Sequence, residues 1–170
     1  MRLFLILLIT LTISLVGKET DKEPIKEVLF KTLTSYDLPL EVSLFAEEHQ
    51  IPILKKVIPE KVKLLDGKKI KMKGFMVPAT FDDDYKVTTF LFAPDRNSCC
   101  FGRVPELNGF VYSTSKVGQK NLKDILIEVT GTLYTDPKFY KEEECVLIYK
   151  LDVESVKKVE LKSGKKGMPF

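Results

Sequence analysis

Leu64-Leu65-Asp66-Gly67-Lys68-Lys69-Ile70-Lys71-Met72-Lys73-Gly74-Phe75-Met76-Val77-Pro78 is the stretch on which the fold turns. Asp66-Gly67 is a turn pair, and from there the pattern has a period of two. Ile70 and Met72 alternate with Lys69, Lys71 and Lys73, as in a strand with one face inward and one lysine face in water. Gly74 interrupts the inward series, and Phe75, Met76 and Val77 follow as a run buried on both sides. A glycine at that point predicts a bulge or sharp bend, the device by which one strand serves two sheets or turns a barrel corner. Pro78 is read as the end of the strand.

Downstream, four more segments read as strands. The second covers residues 86–93 and follows Asp82-Asp83-Asp84, read as a solvated hairpin tip because it lacks the spaced oxygen ligands and glycine of a calcium loop. The third covers 109–113. The fourth covers 125–134, with Ile125, Ile127, Val129 and Leu133 on one face and Gly131 breaking the series. The fifth covers 145–153, aligning Cys145, Leu147, Tyr149, Leu151 and Val153. Five short strands with glycine bends predict a mainly β chain built as a small five-stranded OB-like barrel, because closure removes exposed strand edges. A small β-sandwich is the alternative.

Upstream, Pro59 suits the first turn of a short helix over 59–65, just before the first barrel strand. Residues 40–57 look irregular, with a helical turn over 44–49. Residues 25–38 fit a helical stripe or a strand, and the Val, Phe and Thr content favours a strand ending at Tyr36-Asp37-Leu38. Met1-Arg2 precedes an unbroken apolar or hydroxyl run over 3–16, then Gly17 and a charged patch. That pattern is a signal peptide, or an uncleaved anchor if Leu15 defeats the cleavage pattern. The expected organisation is 1–17 leader, 18–32 linker, 33–160 a single OB-like domain, and 161–170 a flexible tail. The expected location is outside the cytosol, in the periplasm or cell envelope.

A chain of 170 residues with 44% hydrophobic and 30% charged residues suits one domain plus a terminal extra. Its net charge of +3, with acids and bases interspersed, does not advertise nucleic acid or an anionic membrane as a partner. Lys69, Lys71 and Lys73 have no aromatic platforms between them, as a nucleic-acid groove would need.

Three cysteines, Cys99, Cys100 and Cys145, and one histidine, His49, bound the chemistry. The odd count leaves one thiol outside any single disulfide, and Cys145 pairing with Cys99 or Cys100 is the candidate bridge. As metal ligands Cys99, Cys100 and Cys145 are a weak set for zinc, since structural zinc sites space their cysteines and take four donors. His49 reads as a surface residue without a nucleophilic triad around it. No cofactor is expected, and no enzymatic activity.

The string over residues 64–78, Thr89-Phe90-Leu91-Phe92, and Cys99-Cys100-Phe101-Gly102 with Pro105 resemble the bacterial family called domain of unknown function 3299, and its planctomycete-type members in particular. The similarity covers roughly residues 33–156. The resemblance implies an exported OB-like barrel. Some relatives lie beside an ABC transporter and metal-related exported proteins, which implies an accessory role in envelope transport or metal homeostasis. Where that branch has Cys-His and a proline run before Asn, this chain has Phe101, Pro105 and Asn108. The expected function is an exported, non-enzymatic binding or accessory module whose contact surface is Cys99, Cys100, Phe101, Gly102, Pro105 and Asn108. The alternatives are a thiol-dependent metal or redox protein and a structural envelope protein.

Overall fold

The computed structural model describes residues 24–39, 42, 47–96, 106–141 and 144–160. Within it the long strand read from the sequence is the backbone of the fold. Strands β1 (Lys26–Glu27) and β2 (Lys68–Phe81) come first in the sheet, followed by β3 (Val87–Ala93), β4 (Val111–Gln119), β5 (Ile127–Tyr134), β6 (Lys138–Tyr140), β7 (Cys145–Leu147) and β8 (Lys150–Lys158). Ile70, Met72 and Met76 of β2 are buried. The intervening lysines point outward into ion pairs: Lys69 with Glu154, Lys71 with Glu128 at 3.9 Å and Lys73 with Glu27 at 3.2 Å.

Gly74 is where β2 changes partners. Pairing with β5 runs from Lys68↔Leu133 to Gly74↔Ile127, and pairing with β3 starts at Phe75↔Ala93. A Cβ at residue 74 would lie 2.5 Å from the Ala93 carbonyl oxygen and 2.7 Å from the Phe30 ring, so only glycine lets the two strands and the phenyl ring meet there.

The remaining register closes the sheet. The order β2-β3-β4-β8-β5 returns to β2 through the β2–β5 pairing, giving a closed five-stranded, OB-like barrel. Of the barrel pairings only β4–β8 is parallel. The short pair β6–β7 forms a separate hairpin between β5 and β8.

Helices α1 (Phe30–Leu33), α2 (Ile51–Val57) and α3 (Glu60–Lys63), with a 3-10 turn at Glu48–Gln50, lead into the barrel. Each is too short to hold itself and is fixed by apolar side chains pressed into the core. Leu33, Leu54, Ile58, Val62 and Leu65 join the same buried cluster as Phe90, Phe92 and Leu151. Phe90 and Phe92 meet edge to face with ring centroids 6.2 Å apart, and Phe30 tilts against Phe92 at 5.3 Å.

Several boundaries differ from the sequence reading, each for a physical reason. Residues 25–38 do not form the expected strand. Lys26–Glu27 pairs in parallel with Ile70 and Lys71, and the chain then turns into α1, where Phe30 and Leu33 share one buried side. The expected linker over 18–32 therefore contributes Val28 and Phe30 to the core. The helical turn expected over 44–49 falls partly outside the described residues, and helix appears at Glu48–Gln50 and Ile51–Val57. Pro78 does not end β2, which continues to Phe81 with register shifts around Pro78 and Thr80.

The third strand runs to Gln119 rather than stopping at Ser113. After Val111 its inward positions are the small, buried Ser113 and Ser115, whose hydroxyls donate to the carbonyls of Val111 (3.2 Å) and Val117 (2.8 Å), so hydrophobic alternation is lost without losing the strand. The fifth strand is two pieces, β7 and β8, because Val146, Leu147, Ile148 and Tyr149 are all buried in succession and break the alternation. β8 then continues to Lys158, past the expected strand end at Val153, because Val156 pairs with Val129 and Lys158 with Ile127.

Candidate functional site

The loop nominated by the sequence joins β3 to β4. Its Cys99, Cys100, Phe101, Gly102 and Pro105 lie outside the described residues, as do both disulfide pairings proposed for Cys145 and the three-cysteine metal set. What the structure places are the loop's two stems and the groups beneath them.

The first stem continues from Ala93 to Arg96, whose guanidinium carbon lies 5.9 Å from the Phe75 ring centroid. The second stem is held from inside. Leu107 and Phe110 are buried, and Asn108 is only 1% exposed. The Asn108 side-chain amide donates to the Tyr36 carbonyl at 2.9 Å, and its Oδ1 has no hydrogen-bond partner among the described residues. Asn108 is thus a buried anchor of the loop rather than an exposed contact.

Tyr36 leads from Asn108 into a buried polar relay. The Tyr149 hydroxyl donates to the Leu33 carbonyl at 2.8 Å and lies 2.8 Å from the Tyr36 hydroxyl. A phenol has one proton, so with Tyr149 committed to Leu33 the Tyr36 hydroxyl donates to Tyr149. Burial, with Tyr36 alongside, pushes the Tyr149 phenol far above its ordinary range. Burial also raises Tyr36, although its bond to Tyr149 opposes the shift. The relay ties the chain before the barrel to the segment between β7 and β8.

Cys145 opens β7, half-buried, opposite Tyr140. His49 is exposed and bonds Glu47 at 3.1 Å. Among the described residues no three His, Cys, Asp or Glu side chains gather as a metal-binding group. The triple-aspartate tip is occupied by its own turn: Asp82 Oδ1 accepts from the Asp84 amide (3.0 Å) and the Lys86 amide (2.9 Å).

The Leu65-Asp66-Gly67-Lys68 string is a clamp. Asp66 Oδ1 accepts from the Thr135 amide at 2.7 Å, Thr135 Oγ1 donates to the Val62 carbonyl at 3.3 Å, and the Gly67 amide donates to the Leu133 carbonyl at 2.8 Å. Gly67 has φ +67°, a left-handed turn conformation that suits glycine. Together they staple the start of β2 to the end of β5. Beside the clamp lies an open cleft of about 400 Å³, lined in part by Lys55 and Asp136, which form a 2.7 Å ion pair.

The outer surface of the barrel carries a feature that the sequence reading missed. Register pairs Tyr112 with Lys150 and Lys150 with Tyr134, placing the three in one row across β4, β8 and β5. The next row is Thr114, Asp152 and Thr132. All six are half-buried, whereas their chain neighbours Val111, Ser113, Leu151 and Leu133 point into the core. Alternation in each strand could have marked the outward residues, but which of them lie side by side depends on register, which the chain does not spell out locally.

A family model described as "Protein of unknown function (DUF3299)" matches residues 15–158. A crystal structure of a DUF3299 family protein from Pseudomonas aeruginosa PAO1 is similar over 83% of this chain and 100% of that chain, with a TM-score of 0.60 and 20% identity. At that identity the likeness speaks to the fold alone. None of the curated proteins matches the chain. With its barrel shared and most of its length covered by the family model, the chain belongs to the DUF3299 family.

Proposed function

We propose that this protein is an exported, non-enzymatic binding or accessory module of the cell envelope that presents the loop from Cys99 to Asn108 to a partner protein. The observation that carries the reading is the mounting of that loop. Its second stem is fastened by a buried side chain, Asn108, to the Tyr36 carbonyl, and its first stem leaves directly from a core strand. Stems held by the barrel leave less of the chain to be ordered on binding, which favours a contact there. The apolar run over 3–16 supports export. The resemblance to relatives found beside transporters supports an accessory role next to an ABC-type transporter or in metal homeostasis.

Two measurements on the full chain in its native host test this. Fractionation should find the protein in the periplasm or envelope; a cytosolic location refutes export. Cys100→Ser should reduce retention of the cross-linked partner while leaving the urea midpoint unchanged, and a fallen midpoint would mark the cysteine as structural. Stoichiometric zinc or copper on the natively purified protein would replace this reading with a thiol-dependent metal or redox function.

A further inference from the structure

The two ends of β2 present different surfaces to water. At the far end, the turn into β3 exposes Phe81 and Tyr85, with Asp82, Asp83 and Asp84 between them and Lys86 paired to Asp84. At the near end, where α3 turns into β2, Val62 and Leu65 fill the core but Leu64 points away and is 72% exposed. Exposed Lys61, Lys63 and Lys68 surround it in the chain.

The polypeptide also enters at this near end. Lys26 and Glu27 pair in parallel with Ile70 and Lys71, so the residues before them run in beside the start of β2. There Ile25 is a second exposed aliphatic side chain. The carboxylates around the near end already have partners: Glu60 pairs with Lys63 at 2.9 Å, Asp136 with Lys55 at 2.7 Å, and Asp66 accepts from the Thr135 amide. Lys26 and Lys61 have no carboxylate partner among the described residues, which leaves this end with a positive surplus. The net charge of the whole chain conceals that surplus, because the aspartates of the far turn offset it.

We infer that the near end of the barrel docks on an anionic phospholipid surface, with Leu64 and Ile25 entering the interface and Lys26 and Lys61 meeting lipid phosphates. Chain length and charge select this occupant. The apolar run over 3–16, if retained, is about 21 Å long as a helix, against about 30 Å of bilayer hydrocarbon, so it is a weak anchor by itself. Attachment of that kind becomes stable when one inserted segment is joined by a basic patch. From Val16 to Ile25 the chain reaches roughly 30 Å at full stretch, which keeps the entry end, not the far turn, nearest the bilayer. The linker, with Lys18 and Lys22 against Glu19, Asp21 and Glu23, has more acids than bases, so the attraction comes from the barrel. The inference rests on the export reading for the envelope membrane it meets, but docking on vesicles does not.

The chain has no tryptophan, so one placed by substitution reports its own surroundings. The full chain carrying Leu64→Trp, and separately Tyr85→Trp at the far turn, is mixed with vesicles of phosphatidylcholine alone and of phosphatidylcholine with phosphatidylglycerol. A leader could hold either protein on either vesicle, and the local emission shows which surface meets lipid. The expected result is a blue-shifted emission at position 64, quenched by brominated acyl chains, on the phosphatidylglycerol vesicles only, with water-like emission at position 85. Lys26→Glu with Lys61→Glu should raise the lipid concentration at half-shift by about tenfold or more. High salt should act in the same direction without any change to the fold. Water-like emission at position 64 on bound protein, an equal shift on neutral vesicles, a shift at position 85, or indifference to both charge reversal and salt overturns the inference. A cytosolic location in the host with docking intact would instead fail the export reading alone.

Discussion

Removing the Tyr149 hydroxyl should cost more than removing its neighbour's, and the difference reports the direction of the relay. In Tyr149→Phe the Leu33 carbonyl loses its hydroxyl donor within a residue that is wholly buried, and the Tyr36 hydroxyl loses its acceptor. A lost hydrogen bond is worth about 1 kcal/mol net, and an orphaned buried acceptor adds about 1–2 kcal/mol. The expected destabilisation is therefore about 2–3 kcal/mol, or about 4–12 °C in Tm for a domain of this size. In Tyr36→Phe the Tyr149 hydroxyl keeps its bond to Leu33, and nothing buried is stranded. That change should cost only about 0.5–1.5 kcal/mol. In the double variant Tyr36→Phe should add almost nothing to Tyr149→Phe, because the acceptor it served is already gone. Urea unfolding with unchanged m-values measures all three. Equal costs for the two single variants, or additive costs in the double, would refute the relay as described.

Two further outcomes follow from the same geometry. Burial raises both phenols above their unfolded value near 10.0, so the native state favours their protonated forms. Their contribution to stability is complete below that pH and is lost as pH rises above it, so the urea midpoint should fall on the alkaline side from about pH 10. Two of the six tyrosines should resist ionisation until the protein unfolds; ionisation of all six with the native circular dichroism intact would contradict the burial argument. Asp66→Ala removes the charged acceptor from the Thr135 amide, and should lower stability by about 1.5–3 kcal/mol, with Asp66→Asn milder because it retains an acceptor oxygen. A thermal melt unchanged by Asp66→Ala would show that the clamp is not needed to hold β2 against β5.

The barrel was legible where one side chain in two had to be apolar. Ile70 and Met72 against three lysines, and Ile127, Val129 and Leu133 in turn, report burial on one face directly. Gly74 was readable for a related reason, since a missing side chain inside a good strand marks a place where something else must come close. Legibility ended where the inward residues were small hydroxyls, as at Ser113 and Ser115, or where burial was continuous, as at 146–149. The site was harder. Asn108 was picked out as a contact on composition, but its amide is consumed by Tyr36, which is far away in the chain. Tyr149 meets Leu33 and Tyr36 at separations above one hundred residues, beyond any local pattern. The Asp66 clamp sits in the string that carried the family resemblance, so part of that string is explained by how β2 is fastened to β5.

The position of β8 has a consequence for how the chain is assembled. Among the described residues it is the last strand in chain order, yet it lies between β4 and β5, two strands that precede it. Until Lys150–Lys158 has emerged, both neighbours present unsatisfied amides and carbonyls along their lengths, and the ring is missing its keystone. A polypeptide wired in this order can close its ring only once β8 has been made.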